Sequence, residues 1–168
     1  MEKLIWLAPI SGVVALLFAF MRTMMIIKSP AGNEQMREIS DAIHEGAMAF
    51  LLREYKTLAI FVAVMFFVIG TFINWQTAVS YITGSIASVL AGFIGMSVAT
   101  RANVRTANAA REGMNKALSI AFSGGTVMGM SVVGLGLLGL GILYFLFGDP
   151  ADVKSFDVIN GLPLEPVQ

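Results

Sequence analysis

Four long apolar runs constrain this chain more than any other feature of its sequence. A helix needs about 20 consecutive apolar residues to cross the hydrocarbon core of a bilayer. Hydrophobic residues make up 57% of the 168 residues and charged residues only 13%, whereas an average soluble domain has roughly 25% charged residues. We therefore predict an all-α membrane protein with four transmembrane helices. The predicted spans cover residues 4–27, 57–73, 78–99 and 118–147.

The first run, LIWLAPISGVVALLFAFMRTMMII, could be a transmembrane helix or a cleaved signal peptide. A signal peptide combines a basic N-terminal region with a short apolar region and a small-residue cleavage site. Here the preceding MEK is only weakly basic, the run is long and no such site follows it. We therefore expect a retained helix.

The segment between the first two runs predicts an amphipathic helix on the cytosolic side. Pro30 and Gly32 end the first helix, and Asn33 is a suitable N-cap because its side-chain oxygen can accept a hydrogen bond from a free backbone N–H. Apolar residues then recur every three or four positions, with acidic residues on the other side. We expect this helix to lead into the second span. Its apolar positions are Met36, Ile39, Ile43, Ala47 and Phe50.

Small residues recur along the third and fourth runs. At a spacing of four residues they allow helix backbones to approach closely, so we predict that both flanks of the third helix pack on protein. The fourth run is rich in glycine and longer than a bilayer requires, which predicts tilting, protrusion or a break. The two small-residue series of the third run are Ala87, Ala91, Gly95, Ala99 and Gly84, Ser88, Gly92.

Lysine and arginine are distributed unequally between the two sides of the predicted spans. Nine of them lie in or beside the segments 28–56 and 100–117, and only Lys3 and Lys154 lie on the opposite side. Basic residues favour cytosolic loops. We therefore predict that both segments are cytosolic and that both termini lie on the non-cytosolic side of the cell membrane.

The basic stretch RANVRTANAAREG, residues 101–113, contains three of the four candidate site residues, and the fourth follows it at Lys116. On a helix most of its polar residues share one face, and Glu112 precedes Lys116 by four residues, the favourable order for an ion pair. The guanidinium group suits phosphate, so an anion site is one interpretation. Because no Gly-rich phosphate loop accompanies the stretch, we favour a role in setting topology and in bracing the cytosolic ends of the third and fourth helices. The residues assigned to this role are Arg101, Arg105, Arg111 and Lys116.

The sequence identifies no catalytic residue and no metal ligand. The chain has no Cys and a single His. Asp41 and Glu45 stand four residues apart beside His44 and could form a metal or general-base pair, but we interpret them as a solvated helix face because no third ligand lies nearby. No apolar run carries an ionisable side chain near its centre, where an intramembrane ion site normally needs one. We expect no nucleic-acid partner.

Two stretches of the sequence, residues 39–58 and residues 92–130, resemble the membrane-integral inorganic pyrophosphatases, a family of ion pumps. ISDAIHEGAMAFLLREYKTL, residues 39–58, is similar to the family's entry into its second transmembrane helix. GFIGMSVATRANVRTANAAREGMNKALSIAFSGGTVMGM, residues 92–130, is similar to its third helix, cytosolic loop and fourth helix. The resemblance covers about residues 1–161 and implies the N-terminal portion of a homodimeric pump with many more spans. Such a pump hydrolyses cytosolic pyrophosphate with Mg²⁺, in some members also with K⁺, and moves H⁺ or Na⁺ outward across the bilayer.

The chain differs from this family in the motifs that bind the substrate. The family binds its substrate through Asp-x-x-x-Asp motifs on later helices, and this chain contains no such motif. The resemblance ends near FDVINGL, and PLEPVQ reads as an unrelated ending. We therefore expect a fragment of a pump that lacks the catalytic core and hydrolyses no pyrophosphate by itself.

Two other functions stay open on the sequence. The chain could be a non-enzymatic four-helix assembly or interaction protein, because its small-residue series and uncharged spans suit helix packing. It could also be a transporter fragment that recognises an anion through Arg101 and Arg105.

Overall fold

The computed structural model describes residues 6–148, which form four long helices. Helix α1 spans Leu7–Lys28, α2 spans Glu34–Phe72, α3 spans Trp75–Ala109 and α4 spans Met114–Phe147. All four are long and apolar enough to cross a membrane, which confirms the predicted all-α class with four transmembrane helices. The predicted start of the first span at residue 4, the two opposite-side lysines Lys3 and Lys154 and the PLEPVQ ending lie outside the described residues.

Most of the two segments predicted as loops is helical. Segment 28–56 belongs to α2 from Glu34 onward, and segment 100–117 is helical up to Ala109 and again from Met114. The amphipathic stretch is therefore the first part of α2 and does not form a separate helix. Gly46 does not interrupt α2, since one glycine in a helix interior costs only about 1 kcal/mol relative to alanine.

The lengths of the helices mean that they extend beyond a bilayer. At about 1.5 Å per residue, α2 measures about 58 Å, roughly twice the thickness of the hydrocarbon core. Helices α3 and α4, with 35 and 34 residues, are also longer than a span requires. The glycine-rich α4 runs without a break from Met114 to Phe147.

Asparagine caps fix two of the helix starts. The Asn33 Oδ1 accepts a hydrogen bond from the backbone N–H of Met36 at 3.0 Å, as predicted. The connection between α2 and α3 is only Ile73 and Asn74, and the Asn74 Oδ1 accepts from the N–H of Thr77 at 2.7 Å. So short a connection makes α2 and α3 antiparallel neighbours.

The core lies where α1, α3 and α4 meet. The helices follow the spatial order α1, α4, α3, α2, and α1 also touches α3. Val127 at the centre of α4 has no exposed surface. By contrast, the most apolar part of α2 contains no buried residue. The buried cluster consists of Ala19, Ile26, Val98, Ala102 and Val127.

Small residues mediate the close approach of α3 to α4. A Cβ on Gly95 would lie 2.7 Å from Cγ of Met128, and Ala91 in the same series is buried. In the second series Gly84 and Ser88 are exposed among the described residues. The predicted packing is confirmed for Ala91 and Gly95, but not for Gly84 and Ser88.

Candidate functional site

The predicted basic residues of α3 line a cavity at one end of the bundle. The cavity has a volume of about 480 Å³ and lies between the end of α1, the start of α2 and the last turns of α3. Arg101 and Arg105 face it from α3, and Arg37 faces it from α2. The antiparallel pairing of α2 with α3 brings these residues together, although more than 60 positions separate Arg37 from Arg101. The ionisable residues lining the cavity are Arg37, Asp41, His44, Arg101 and Arg105.

Arg105 holds the C-terminal end of α1 against α3. Its Nε donates to the carbonyl of Ser29 at 3.1 Å and its Nη2 to the carbonyl of Ile27 at 3.3 Å. Its Nη1 donates to the carbonyl of Arg101 at 2.7 Å. The last carbonyls of a helix lack intrahelical partners and carry partial negative charge, so they favour a cation. Arg105 therefore contacts the end of α1, a partner that the sequence did not reveal.

A second contact from α3 holds the connection between α1 and α2. The Asn108 Nδ2 donates to the carbonyl of Pro30 at 3.3 Å. Gly32 has a φ of 84°, a left-handed conformation that favours glycine. A Cβ at Gly32 would also lie 2.5 Å from Sδ of Met36 and 3.1 Å from Oδ1 of Asn108. The connection that forms this wall of the cavity through residues 29–31 is thus held in place by α3.

Arg111 and Lys116 do not line this cavity. Residues 110–113 form the turn between α3 and α4, so the polar face predicted to run from Arg101 to Lys116 is interrupted. Lys116 does pair with Glu112, and each side chain is 53% exposed. An exposed pair of this kind contributes only about 0–1 kcal/mol. That Arg111 and Lys116 set the membrane topology and brace the ends of α3 and α4 stays a prediction.

The His44 side chain joins α2 to α3 beside the cavity. Its Nδ1 lies 2.8 Å from Oγ1 of Thr100, and Thr100 is buried. The Thr100 hydroxyl donates to the carbonyl of Met96 at 3.0 Å, so its oxygen remains able to accept from His44. Within residues 6–148 there is no group of three His, Asp or Glu side chains placed to hold a metal. The considered pair of Asp41 and Glu45 thus gains no third ligand there.

The three arginines give the cavity a positive potential. Partial burial, followed by the charges of Arg101 and Arg37, lowers the pKa of Arg105 below its usual value. In the part of the chain that the structure describes, the only ion pair is Lys116–Glu112. The arginines of the cavity are therefore not neutralised by a carboxylate in contact with them, and an anion placed among them would reduce their mutual repulsion.

Sequence reasoning missed Arg37 and His44 as residues of this cavity. Arg37 contributed only to the prediction of orientation, and His44 only to a weak metal-site interpretation. A usable signal for His44 was the short connection after the second span, because positions at similar distances from such a turn face each other across a helical hairpin. Tyr55 illustrates this register: its hydroxyl donates to the carbonyl of Val89 at 3.0 Å and lies next to Gly92.

A second cavity, of about 580 Å³, lies between α3 and α4 and has a different character. Among the described residues, its wall carries no charged side chain. Small residues from both helices line much of it, including Gly84, Ser88, Gly136 and Gly139.

Comparison with known proteins gives a consistent result over nearly the whole chain. A family model described as "Inorganic H+ pyrophosphatase" matches residues 13–165. The match continues past residue 161, where the resemblance was expected to end, and includes the first residues of PLEPVQ. It also includes all of α2, α3 and α4 and most of α1.

Three curated relatives carry related names. The "Putative K(+)-stimulated pyrophosphate-energized sodium pump" of Clostridium tetani is 57% identical over 148 residues, which cover 88% of this chain and 22% of the relative. The "K(+)-insensitive pyrophosphate-energized proton pump" of Methanosarcina mazei is 45% identical over 159 residues, covering 93% of this chain and 24% of the relative. The "K(+)-stimulated pyrophosphate-energized sodium pump" of Thermotoga maritima is 43% identical over 137 residues, covering 80% of this chain and 19% of the relative.

The chain thus spans less than a quarter of the length of these relatives. The similarity is nevertheless continuous across the four helices and includes both stretches that carry the resemblance, residues 39–58 and 92–130. On this match, the chain belongs to the inorganic H⁺ pyrophosphatase family.

Proposed function

We propose that this chain forms the N-terminal membrane portion of a pyrophosphate-energised pump that exports H⁺ or Na⁺. The observation that carries the proposal is the family match over residues 13–165. The names of the relatives supply the coupling of pyrophosphate to ion transport, with a sodium pump in Thermotoga maritima and a proton pump in Methanosarcina mazei.

In this proposal the four helices act as structural elements of the pump. Their described residues place an arginine-lined cavity at one end of the bundle and packed small residues along α3 and α4. The charged end faces the cytosol, where pyrophosphate is hydrolysed, and both termini of the chain face the other side of the cell membrane. The functional pump is a homodimer.

The pump uses Mg²⁺. If the pump resembles the relatives named as K(+)-stimulated in this respect, K⁺ stimulates its activity. The described residues do not fit a Mg²⁺ site, because residues 6–148 contain no group of three candidate ligands and Mg²⁺ prefers several oxygen ligands in octahedral geometry. We therefore assign no Mg²⁺ ligand and no catalytic step to these helices.

A chimeric pump tests the proposal. The aligned segment of the Methanosarcina mazei proton pump is replaced by the matching residues of this chain, and the product is reconstituted in proteoliposomes. We expect pyrophosphate-dependent proton uptake and Mg²⁺-dependent phosphate release to persist. The matched control is the same chimera with Gly134→Leu, which should lose both activities because α1 and α4 can no longer pack. A chimera that folds and has neither activity would contradict the proposal.

The chain by itself should release no phosphate from Mg²⁺-pyrophosphate. Purified chain in proteoliposomes is incubated with substrate, and free phosphate is measured. Release above background that is abolished by a substitution such as Arg101→Gln would contradict this expectation and would place a catalytic group in these helices.

The orientation is tested by cysteine labelling, for which the chain is suited because it contains no Cys. Arg111→Cys lies in the turn between α3 and α4, and Gln76→Cys lies beside the turn between α2 and α3. In intact cells an impermeant maleimide should label the cysteine at position 76 and not the one at position 111. The reverse pattern would place the arginine-lined cavity outside the cytosol.

A further inference from the structure

The cavity at the end of α1 combines an excess of positive charge with unused hydrogen-bond donors. Among the described residues, Arg37, Arg101 and Arg105 line it together with only one carboxylate, that of Asp41. Arg37 and Asp41 are separated by four residues on α2 and could form an ion pair. No such pair is formed within residues 6–148.

The donors of the three arginines are used unequally. Each guanidinium nitrogen of Arg105 donates to a backbone carbonyl, which fixes this side chain at the base of the site. In contrast, the side chains of Arg37 and Arg101 make no hydrogen bond to any of residues 6–148. Their planar forks suit the bidentate binding of an oxyanion.

The remaining wall is also compatible with an oxyanion. Ser40 lines the cavity and carries a hydroxyl group, which can donate to an anion, whereas the hydroxyl of Ser29 donates to the carbonyl of Met25 at 3.1 Å. The His44 ring lies next to it and is positioned by Thr100. A volume of about 480 Å³ lies within the range of small-molecule sites, roughly 300–1,000 Å³. The site is thus large enough for a phosphate or diphosphate group.

We propose that this cavity binds a phosphate-class oxyanion, held by Arg37 and Arg101 and oriented by Arg105. The source of the oxyanion is either free phosphate or diphosphate from solution, or the headgroup of an anionic lipid at the end of α1. The carboxylate of Asp41 lines the same cavity and opposes binding of the anion. Removing its charge should therefore raise the affinity, which provides a test.

The test uses the whole chain in phosphatidylcholine nanodiscs. Inorganic phosphate and diphosphate are titrated separately by calorimetry at constant ionic strength. Arg101→Gln should weaken binding by about tenfold or more, the effect expected for the loss of a charge-assisted hydrogen bond. The matched control is Arg111→Gln, which removes the same charge from the neighbouring turn and should leave the affinity within about twofold, because exposed charges are largely screened at a distance.

Asp41→Asn should tighten binding of the anion severalfold, because it removes a negative charge that repels the anion from the cavity. This variant guards against misfolding as an explanation, since a misfolded protein would not bind more tightly. Circular dichroism and size-exclusion profiles of all variants should match those of the unmodified chain.

A second arm distinguishes the two sources of the oxyanion. The melting temperature is measured in nanodiscs with increasing phosphatidylglycerol and no free phosphate. If the lipid headgroup is the ligand, phosphatidylglycerol should raise the melting temperature of the unmodified chain and of the Arg111→Gln variant, but not that of the Arg101→Gln variant. Free phosphate and diphosphate should then bind only weakly. If neither the soluble anions nor the lipid distinguish Arg101→Gln from Arg111→Gln, the proposal is wrong.

Discussion

Helix α4 carries two sets of glycines, and the structure uses them in opposite ways. Gly134 and Gly141 face α1 at close range: added Cβ atoms would lie 2.8 Å from Leu16 and 2.9 Å from Pro9. The other set, by contrast, faces open space among the described residues. The residue type and the apolar surroundings are the same in both sets, and only the distance to a neighbouring helix differs, since Gly136 and Gly139 line the cavity between α3 and α4. The open set consists of Gly125, Gly129, Gly136 and Gly139.

The comparison shows what stabilises this bundle. In a bilayer the lipid tails are as apolar as the side chains, so helix association depends on close packing and not on the hydrophobic effect. Gly12 and Gly134 allow the backbones of α1 and α4 to approach within contact of each other. A glycine on the open face provides no such contact and carries only its cost to helix stability, about 1 kcal/mol relative to alanine.

The largest expected effect comes from Gly134→Leu. The added side chain would collide with Leu16 and with the backbone carbonyl oxygen of Gly12, whose distance from an added Cβ is 3.0 Å. We expect a loss of about 3 kcal/mol, the upper part of the usual range for overpacking, measured by denaturant unfolding in detergent with helix content as the signal. Gly136→Leu on the exposed face is the matched control and should change stability little. Equal effects of the two substitutions would remove the distinction between the two faces.

Gly12→Ala approaches the same interface from α1. Its Cβ would lie 2.8 Å from the carbonyl oxygen of Gly134 and 3.0 Å from the backbone nitrogen of Leu138, and backbone atoms cannot rotate aside. We expect destabilisation of about 2 kcal/mol in the same unfolding measurement. The control is Gly46→Ala in α2, where the added Cβ meets no atom of the described residues within 4 Å. If Gly12→Ala is as well tolerated as Gly46→Ala, α1 and α4 do not pack through this glycine.

Arg105→Gln tests a polar contact to the same helix, α1. It removes the hydrogen bonds to the carbonyls of Ser29 and Ile27, and we expect a loss of about 1 kcal/mol because the site is only partly buried. Hydrogen exchange should report faster opening at the end of α1 and at residues 29–32. Arg111→Gln is the control, and similar exchange in both variants would show that Arg105 does not hold α1.

The smallest effect is expected for Gly136→Ala, and it has the opposite sign. Because the added methyl group meets no atom of residues 6–148 within 4 Å, the substitution should stabilise α4 by up to about 1 kcal/mol through helix propensity. The thermal midpoint in detergent provides the measurement, and Gly134→Ala, which should lower that midpoint, provides the control. A destabilising Gly136→Ala would mean that its face is packed against something.

Much of the fold could be predicted because it depends on local sequence. The apolar runs predict the four helices, and Asn33 predicts the start of α2. The predicted spans cover only the apolar parts of the helices because a hydropathy pattern detects only those parts, whereas α2 and α3 continue into polar segments.

The candidate site was less accessible to prediction because its parts are distant in sequence. Arg101 and Arg105 could be identified from their residue type and spacing, but the partners of Arg105 lie 76 and 78 positions away. The contribution of Arg37 required knowledge of the register between α2 and α3. Lys116 was correctly paired with Glu112, since that contact spans only four residues.

The sequence by itself therefore determined the membrane class, the number of helices and the family, because length, hydropathy and extended motifs are properties of contiguous residues. The tertiary structure alone decided which glycines form contacts, what Arg105 holds and that three arginines share one cavity. These features depend on the rotation and register of each helix against its neighbours. The apolar runs are hydrophobic on all sides, so their sequence pattern cannot specify which face is packed.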